Sequence, residues 1–144
     1  MNYKILTMHA FSDERGKLVA LESRKNVPFD IKRVYYIFDA SPEFDRGGHA
    51  HTNLEQIMIC LAGSCEILLD NGKIKEKVIL DSPEVGLYIG KNMWRVMKNF
   101  SYDCRLVVLA SDFYDENEYI RDYGEFIGLV KEGIGEKSND TSSL

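Results

Sequence analysis

The amino-acid sequence predicts an all-β fold, a closed barrel or a sandwich of short strands, with one α-helix at its C-terminal end. Two observations carry this prediction. Short segments rich in β-branched and aromatic residues recur between turn residues as far as Ala110, which is typical of β-barrels and β-sandwiches. Beyond Ala110 the apolar residues change to steps of three and four, the spacing of a helix. The predicted strands are Tyr3–Met8, Leu18–Glu22, Ile31–Phe38, Gly48–His51, Glu55–Ala62, Ser64–Asp70, Ile74–Leu80, Glu84–Ile89, Arg95–Asn99 and Arg105–Ala110.

Turn residues separate the central strands. Ala62-Gly63 divides two strands, and Ser82-Pro83-Glu84 makes a second break. Asp70-Asn71-Gly72-Lys73 predicts a tight hairpin, because Asn-Gly tolerates the positive φ angles of a type I′ turn. The central part of the chain is therefore expected to form antiparallel hairpins.

The C-terminal helix is predicted over Asp112–Lys131, where Ile120, Tyr123, Ile127 and Val130 recur at helical spacing. Tyr114, Tyr119 and Tyr123 are interpreted mainly as packing residues of this helix. The polar segment 135–144 is predicted to be a disordered tail. With 144 residues, the chain is expected to form one domain over residues 1–134, including the helix.

Composition and charge exclude several classes of protein. The net charge is −5 and the basic residues are not clustered, which argues against a nucleic-acid partner. No apolar run approaches 18 residues and the N-terminus has no secretory pattern, so neither a membrane span nor a signal peptide is expected. The three cysteines, Cys60, Cys65 and Cys104, are an odd set without metal-finger spacing. They indicate reduced thiols in a cytoplasmic protein, with Cys60 in the core.

His49 and His51 are the most informative polar residues. Residues i and i+2 of a strand point to the same face, so both imidazoles are expected to project into the barrel together. A neutral imidazole has a pKa near 6.5 and can accept and return a proton at cellular pH. Metal ligation and simple filling of the barrel by hydrogen-bonded histidines are the alternatives.

The segment from Gly48 to Glu55 resembles the first cupin motif, in which two histidines and a glutamate bind metal with a fourth histidine from a second motif. That resemblance implies a cupin or jelly-roll β-barrel. Arg95 stands about where the fourth ligand is expected. A guanidinium cannot ligate a cation and repels one nearby. Proton transfer without a metal is therefore the favoured interpretation of the histidine pair.

Two further polar groups are expected near the pair. Arg33 and Tyr35 share one face of an alternating strand, and together they suit an anionic, oxygen-rich ligand; the alternative places Arg33 on the solvent face. Trp94, the single tryptophan, is either a core residue or a ring that stacks on a base or sugar.

With these residues placed, the chain resembles the dTDP-sugar 3,4-ketoisomerases, cupin enzymes of deoxysugar pathways that supply lipopolysaccharide O-antigens and other surface glycans. The resemblance covers about residues 5–126. It is carried by an ordered set of segments: 15–19, 28–37, 46–51, 54–56, 63–65, 81–90, 107–111, 114–116 and 119–123. It implies conversion of dTDP-4-keto-6-deoxyglucose into a 3-keto sugar without metal or other cofactor, and a homodimer that exchanges strands near its N-terminus.

The resemblance also implies roles for single residues. His49 is the expected base, His51 and Tyr35 carry or orient protons, and Arg46 stabilises anionic oxygen or binds the diphosphate. The expected substrate-binding residues are Arg33, Arg15, Arg95, Trp94 and Glu55. Galacto-forming members carry Arg and His at the positions of Arg15 and Arg95, and gluco-forming members carry Tyr and Arg. The mixed Arg-Arg pair leaves a slight preference for the galacto product. A non-catalytic sugar-nucleotide binding module, a 3,5-epimerase and a metal-dependent cupin are the rival hypotheses.

Overall fold

The structure is a computed structural model. It describes residues 1–133 in full and the backbone of residues 134–142, which belong to the last helix. The segment 135–144, for which the sequence predicts disorder, lies outside the residues that are described in full, so that expectation stays a prediction.

Two five-stranded antiparallel sheets form the body of the protein. In spatial order, the first sheet contains β1 (Tyr3–Thr7), β9 (Val85–Ile89), β6 (Gln56–Ala62), β11 (Arg105–Ala110) and β4 (Arg33–Phe38). The second contains β12 (Tyr119–Ile120), β5 (Arg46–His51), β10 (Trp94–Lys98), β7 (Cys65–Asp70) and β8 (Lys75–Leu80). The all-β, cupin-like fold is thus confirmed, with two sheets whose strand pairing does not close into one continuous barrel.

The core lies between the sheets because alternate residues of each strand point inward. In β6, Met58 and Cys60 join the main core cluster, whereas Ile57 and Ile59 belong to a second cluster on the outer face of the first sheet. The segment 19–31 covers part of that outer face and contributes Val27 and Phe29. The two faces of one strand therefore serve two separate apolar layers.

The rest of the outer face is uncovered. Tyr36 and Phe38 of β4 are 70% and 55% exposed, and Leu61 of β6 is 54% exposed. These side chains border an apolar depression of about 430 Å³ together with Val107 of β11. Such a patch is typical of a surface that contacts another protein.

The N-terminal region contains a short hairpin and lacks one of the predicted strands. β2 (Phe11–Asp13) pairs only with β3 (Gly16–Leu18) in a separate two-stranded sheet, whereas the sequence predicts a strand over Leu18–Glu22. That strand is wrong because residues 19–31 cross the outer face of the first sheet, where burial of Val19 and Leu21 does not require strand pairing.

The C-terminal region also departs from its prediction. Helix α1 runs over Tyr123–Ser142, eleven residues later than the predicted start at Asp112. The residues before it form a 3₁₀ turn, η1 (Glu116–Glu118), capped by Asp115, and then strand β12, in which Ile120 pairs with Ala50. Apolar spacing alone cannot separate a helix from a strand that ends at the edge of a sheet. No helix within the described residues is long and apolar enough to cross a bilayer.

The predicted hairpin between β7 and β8 is confirmed, although its turn differs from the predicted type. Gly72 has a positive φ of 93°, whereas Asn71 does not, and a type I′ turn needs both. The Asn71 side chain instead accepts hydrogen bonds from the backbone N–H groups of Lys73 and Ile74. A Cβ at position 72 would lie 3.0 Å from Val130 of helix α1, so glycine also allows the helix to pack closely.

Candidate active site

A polar cavity of about 550 Å³ opens beside strands β4 and β5. Its wall is built by β4, β5 and the segment that leads into β12. The side chains that matter for its chemistry are those of Arg33, Tyr35, Arg46, His49, Tyr119 and Arg121. Four of these six are residues that the sequence predicts for the site.

A bulge in β5 explains how Arg46 and His49 reach the same cavity. Residues three apart in a regular strand lie on opposite faces. Here Arg95 of β10 pairs with His49 and Met97 pairs with Arg46, so β5 contains one extra residue. Gly47, with a φ of +75°, absorbs the change, and a Cβ there would approach the Met97 side chain to 2.8 Å. The Arg46-Gly47-Gly48 sequence therefore forms a bulge that turns the Arg46 side chain toward His49.

The two imidazoles lie together inside the protein, as the sequence predicts. Their ring centroids are 4.7 Å apart and the ring planes are nearly perpendicular. His49 is 7% exposed and borders the cavity, whereas His51 is fully buried behind it. Neither ring nitrogen of His51 has a hydrogen-bond partner of good geometry within residues 1–133, and a weak backbone interaction with Glu118 acts to raise its pKa. Hydrogen bonds therefore hold His51 only weakly.

Burial keeps both imidazoles neutral. It is the main cause that lowers the pKa of His49 to about 3 and that of His51 to about 2. The positive charge of Arg95 acts in the same direction on both rings. At neutral pH each imidazole thus has a free lone pair, as a general base requires.

Arg95 is fully buried beneath the histidines. Its Nη1 donates a 2.6 Å hydrogen bond to Oε1 of Gln56, and its Nη2 donates to the carbonyl of Met93. Burial lowers the pKa of Arg95 to about 10, so the side chain stays protonated at neutral pH. No salt bridge to it occurs within residues 1–133. A buried cation without an acidic partner favours an anion in the site and disfavours a metal ion beside the histidines.

The phenol of Tyr35 borders the cavity next to the same network. Its oxygen accepts a 3.0 Å hydrogen bond from Nε2 of Gln56. Burial is the main cause that raises its pKa, so the phenol is neutral and holds a proton. Arg33 lies between the rings of Tyr35 and Tyr114, 5.4 and 5.6 Å from their centroids. The expectation that Arg33 and Tyr35 share one face with the histidines is confirmed.

Arginines make the wall of the cavity mainly positive, although Asp45 also borders it. Arg33 and Arg46 border it, and the Nε of Arg33 is buried without a partner. Arg121 lies over the Tyr119 ring, 4.6 Å from its centroid, and pairs with Glu116 at 2.9 Å. Guanidinium groups bind phosphate through several parallel hydrogen bonds. The cavity can therefore hold a phosphorylated ligand close to a neutral imidazole.

Glu55 and Trp94, two of the predicted substrate-binding residues, do not border the cavity. The Glu55 carboxylate accepts a 2.5 Å hydrogen bond from Tyr88, because it projects opposite to Gln56, which follows it and faces the interior. Trp94 packs against Tyr123 and Phe126 of helix α1. Of its two predicted roles, packing is therefore the observed one.

Arg15 and Arg95, which the sequence also predicts to bind substrate, do not border the cavity of their own chain. Arg15 is exposed in the β2–β3 turn and pairs with Asp13, and it borders a different depression from the one with His49. Arg95 lies under the histidines and does not border the cavity.

Sequence reasoning missed four residues of the site: Tyr114, Tyr119, Arg121 and Gln56. The ring of Tyr119 contacts both imidazoles, with centroid distances of 4.9 Å to His49 and 4.5 Å to His51. The predicted helix assigned it to packing, but its strand pairs Tyr119 directly with His51. One feature of the sequence could have identified Gln56, because it is a polar residue at the start of an otherwise apolar strand.

One cluster of soft metal ligands occurs within the described residues. The sulfur atoms of Cys60, Cys65 and Cys104 lie within 4.8 Å of one another in the core. Burial raises the pKa of Cys60 to about 12 and raises that of Cys65 as well, which opposes the thiolate form that metals bind. The core role predicted for Cys60 is confirmed by its full burial.

Comparison with known proteins adds the family context. Residues 1–131 match the family model described as "FdtA: WxcM-like, C-terminal". A curated relative, the TDP-4-oxo-6-deoxy-α-D-glucose-3,4-oxoisomerase of Aneurinibacillus thermoaerophilus, is 52% identical over 139 residues, which are 92% of this chain and 100% of the relative.

The solved structures that are similar in fold and sequence include two sugar-nucleotide ketoisomerases. The WlaRB TDP-quinovose 3,4-ketoisomerase of Campylobacter jejuni is 63% identical with a TM-score of 0.85, covering 88% of this chain and 97% of that one. A histidine-to-asparagine variant of the 3,4-ketoisomerase QdtA of Thermoanaerobacterium thermosaccharolyticum, in complex with TDP-4-keto-6-deoxyglucose, is 41% identical with a TM-score of 0.89, covering 91% and 95%. TDP and dTDP denote the same thymidine nucleotide.

Proposed function

Because the chain belongs to the FdtA family of TDP-sugar 3,4-ketoisomerases, and is therefore an isomerase, we propose that it converts TDP-4-keto-6-deoxyglucose into a TDP-3-keto-6-deoxyhexose. The observation that carries the proposal is the neutral imidazole of His49 at the wall of an arginine-rich cavity. The keto sugar nucleotide bound to the QdtA variant is a ligand of matching chemistry.

In the proposed mechanism His49 is the base. It removes the proton from C3, and the electron pair of the C3–H bond forms the C3=C4 double bond while the C4 carbonyl becomes an enediolate oxygen. The C3 hydroxyl loses its proton and the C4 oxygen takes one up, with Tyr35 as the proposed carrier between the two oxygens and His51 as the residue that orients the His49 ring. The enediol then collapses to a C3 ketone as the His49 imidazolium returns its proton to C4. The net change moves one hydrogen from C3 to C4 and one from O3 to O4.

Charge placement supports this route. The enediolate carries negative charge into a buried region where Arg95 provides an uncompensated positive charge. Preorganised charges of this kind stabilise a transition state more than they do in water. Burial, with the Arg95 charge acting in the same direction, holds the resting imidazoles neutral, so the base is ready before the substrate binds.

The diphosphate is proposed to bind Arg33 and Arg46. Both side chains border the cavity, and the unpartnered Nε of Arg33 is a buried donor that requires an acceptor. This places the sugar ring toward His49 and the nucleotide toward the open side of the cavity.

We further propose a homodimer with exchanged N-terminal hairpins. Within residues 1–142, the β2–β3 hairpin pairs with no other strand, and its Phe11 and Leu18 are 61% and 60% exposed. Exchange would bury these residues and bring Arg15 to the partner's cavity. The exposed face of Tyr36, Phe38 and Leu61 is the proposed contact between the two bodies.

For the C4 configuration we propose the gluco product, in place of the slight galacto preference that the sequence gives. The relative that is 63% identical is named for TDP-quinovose, a 6-deoxyglucose. Arg95 in the buried position also matches the gluco pattern, whereas Arg15 matches the galacto pattern. The product is proposed to supply deoxyaminosugars for surface glycans from the cytoplasm, where three free thiols stay reduced.

Proton NMR of TDP-4-keto-6-deoxyglucose mixed with the protein in deuterated water tests the proposal. We expect a 3-keto product, with deuterium at C4 to the extent that the proton on His49 exchanges with solvent before it reaches C4, and its coupling constants report the configuration at C4. Binding without product or exchange would instead indicate a binding module, and deuterium at C5 would indicate a 3,5-epimerase. Loss of activity on chelation, with a stoichiometric metal, would contradict the metal-free mechanism.

A further inference from the structure

Arg95, Gln56 and Tyr35 form a chain of hydrogen bonds that leads from the buried cation to the cavity. Arg95 Nη1 donates to Gln56 Oε1 at 2.6 Å, and Gln56 Nε2 donates to the Tyr35 oxygen at 3.0 Å. The strands align these groups, since Gln56 lies directly across from Ala110 of β11, which in turn pairs with Arg33 of β4, two residues before Tyr35.

The direction of each hydrogen bond is fixed by chemistry. A guanidinium carries only donors, so the oxygen of the Gln56 amide must face Arg95. The NH₂ group of the same amide must then face Tyr35. Gln56 is fully buried, and rotation of its amide would set donor against donor at Arg95.

This direction determines what Tyr35 can do. The phenol oxygen already accepts a hydrogen bond from Gln56, and no other protein acceptor for its proton is found within residues 1–133. The O–H group is therefore left to donate into the cavity, where the sugar oxygens would lie. If Gln56 were an acceptor, the phenol proton would point into the protein instead.

We propose that Gln56 is a positioning residue that, held by Arg95, commits the hydroxyl of Tyr35 to donate a hydrogen bond to the substrate. The proposal rests on the proposed function, since the acceptor is the sugar oxygen that becomes anionic in the enediolate. Gln56 itself does not border the cavity and acts only through Tyr35.

Gln56→Glu reverses the hydrogen bond while preserving the shape of the side chain. A carboxylate accepts from both neighbours, so it holds Arg95 more strongly and turns the Tyr35 proton away from the cavity. Gln56→Met removes both hydrogen bonds and leaves the Tyr35 proton free to rotate. The expected order of kcat is wild type, then Gln56→Met, then Gln56→Glu.

Stability is expected in a different order. A negative charge beside the buried, uncompensated Arg95 makes Gln56→Glu at least as stable as the wild type, whereas Gln56→Met leaves a buried donor without its acceptor. The melting temperatures should therefore rank Gln56→Glu at the top and Gln56→Met at the bottom. A purely structural role for Gln56 would make kcat follow the melting temperature, and that result would overturn the proposal.

The loss of kcat in the Gln56 variants should depend on the presence of the Tyr35 hydroxyl. Gln56→Glu should lower kcat by at least the factor of Tyr35→Phe, on the order of 10²-fold for one lost donor to an anionic oxygen, because the new carboxylate also compensates the charge of Arg95; the change in KM should be smaller. Tyr35→Phe should cost less in the Gln56→Met background than in the wild type, a comparison that does not depend on the folding of the Glu variant. Equal costs in the two backgrounds would refute the role of Gln56.

The wild-type reaction separates the two proposals. A wild type without 3,4-ketoisomerase activity would refute the proposed function. An active wild type combined with an equally active Gln56→Glu variant would refute the positioning role alone.

Discussion

The imidazole rings of His49 and His51 meet edge to face with their centroids 4.7 Å apart, yet only His49 reaches the cavity. Because their positions differ, the two imidazoles can have different roles in the proposed reaction. The ring at the wall can contact a carbon of the substrate, whereas the ring behind it acts only through the rings of His49 and Tyr119 that it contacts.

His49→Asn should nearly abolish turnover while TDP still binds. Asparagine fills similar space and keeps polar atoms but cannot accept the C3 proton, so a loss of about 10²- to 10⁴-fold in kcat is expected. Steady-state kinetics with TDP-4-keto-6-deoxyglucose measures the loss, and calorimetric titration with TDP checks the binding. Turnover close to the wild-type value would remove His49 as the base.

Protein stability should fall as the pH drops from about 7 toward 5. The pKa values of His49 and His51 are near 3 and 2 in the folded state and near 6.5 in the unfolded chain. In this window the unfolded chain binds more protons, so acid favours unfolding by about 2 kcal/mol for each imidazole. The contribution of the two neutral imidazoles to the free energy of unfolding is fully present above about pH 7.

Urea unfolding at several pH values measures this dependence. His51→Gln is the comparison variant, since it removes one of the two buried imidazoles and should flatten the slope between pH 7 and 5 by about half. Few carboxylates titrate in this range. An unchanged slope in the variant would show that the buried histidines do not cause it.

The site residues on strands β4 and β5 could be predicted from the sequence better than those of the segment that leads into β12. The i, i+2 spacing of His49 and His51 and the alternation of Arg33 with Tyr35 follow directly from strand geometry, and all four side chains face the interior. Tyr119 was assigned wrongly because its role depends on pairing with His51, a contact between segments 68 positions apart. Propensity and periodicity carry no information on such pairing.

Glu55 shows a second limit. Its place in a metal-cupin motif suggested a ligand, but the chain enters β6 with Gln56 facing the interior and Glu55 facing Tyr88. A shift of one residue exchanges the two faces of a strand. The register of a strand against its neighbours therefore decides which of two adjacent polar residues enters the site.

Arg33→Met should weaken TDP binding while leaving the fold intact. Loss of a charged hydrogen bond to phosphate corresponds to about 1.5–3 kcal/mol, so the Kd for TDP should rise about 10- to 100-fold. The matched control is Arg24→Gln, at an exposed arginine paired with Asp30 outside the cavity. Equal Kd values for the two variants would contradict the assignment of Arg33 to the diphosphate.

Complementation between two inactive variants tests the exchanged hairpin. In the proposed dimer each cavity combines His49 of one protomer with Arg15 of the other. A heterodimer of Arg15→Ala and His49→Asn chains then contains one cavity with both substitutions and one with neither. If the subunits of an equal mixture re-pair at random, half of the dimers are mixed, and about a quarter of the wild-type activity should return.

The outcome of that mixing depends on which chain supplies Arg15. If Arg15 served the cavity of its own chain, every site in the mixture would lack one of the two groups and no activity would return. Since Arg15 lies in a hairpin that pairs with no other strand among the described residues, the structure favours the exchanged arrangement. Size-exclusion chromatography with light scattering checks that both variants are dimers, so an inactive mixture of intact, re-paired dimers would count against the exchange.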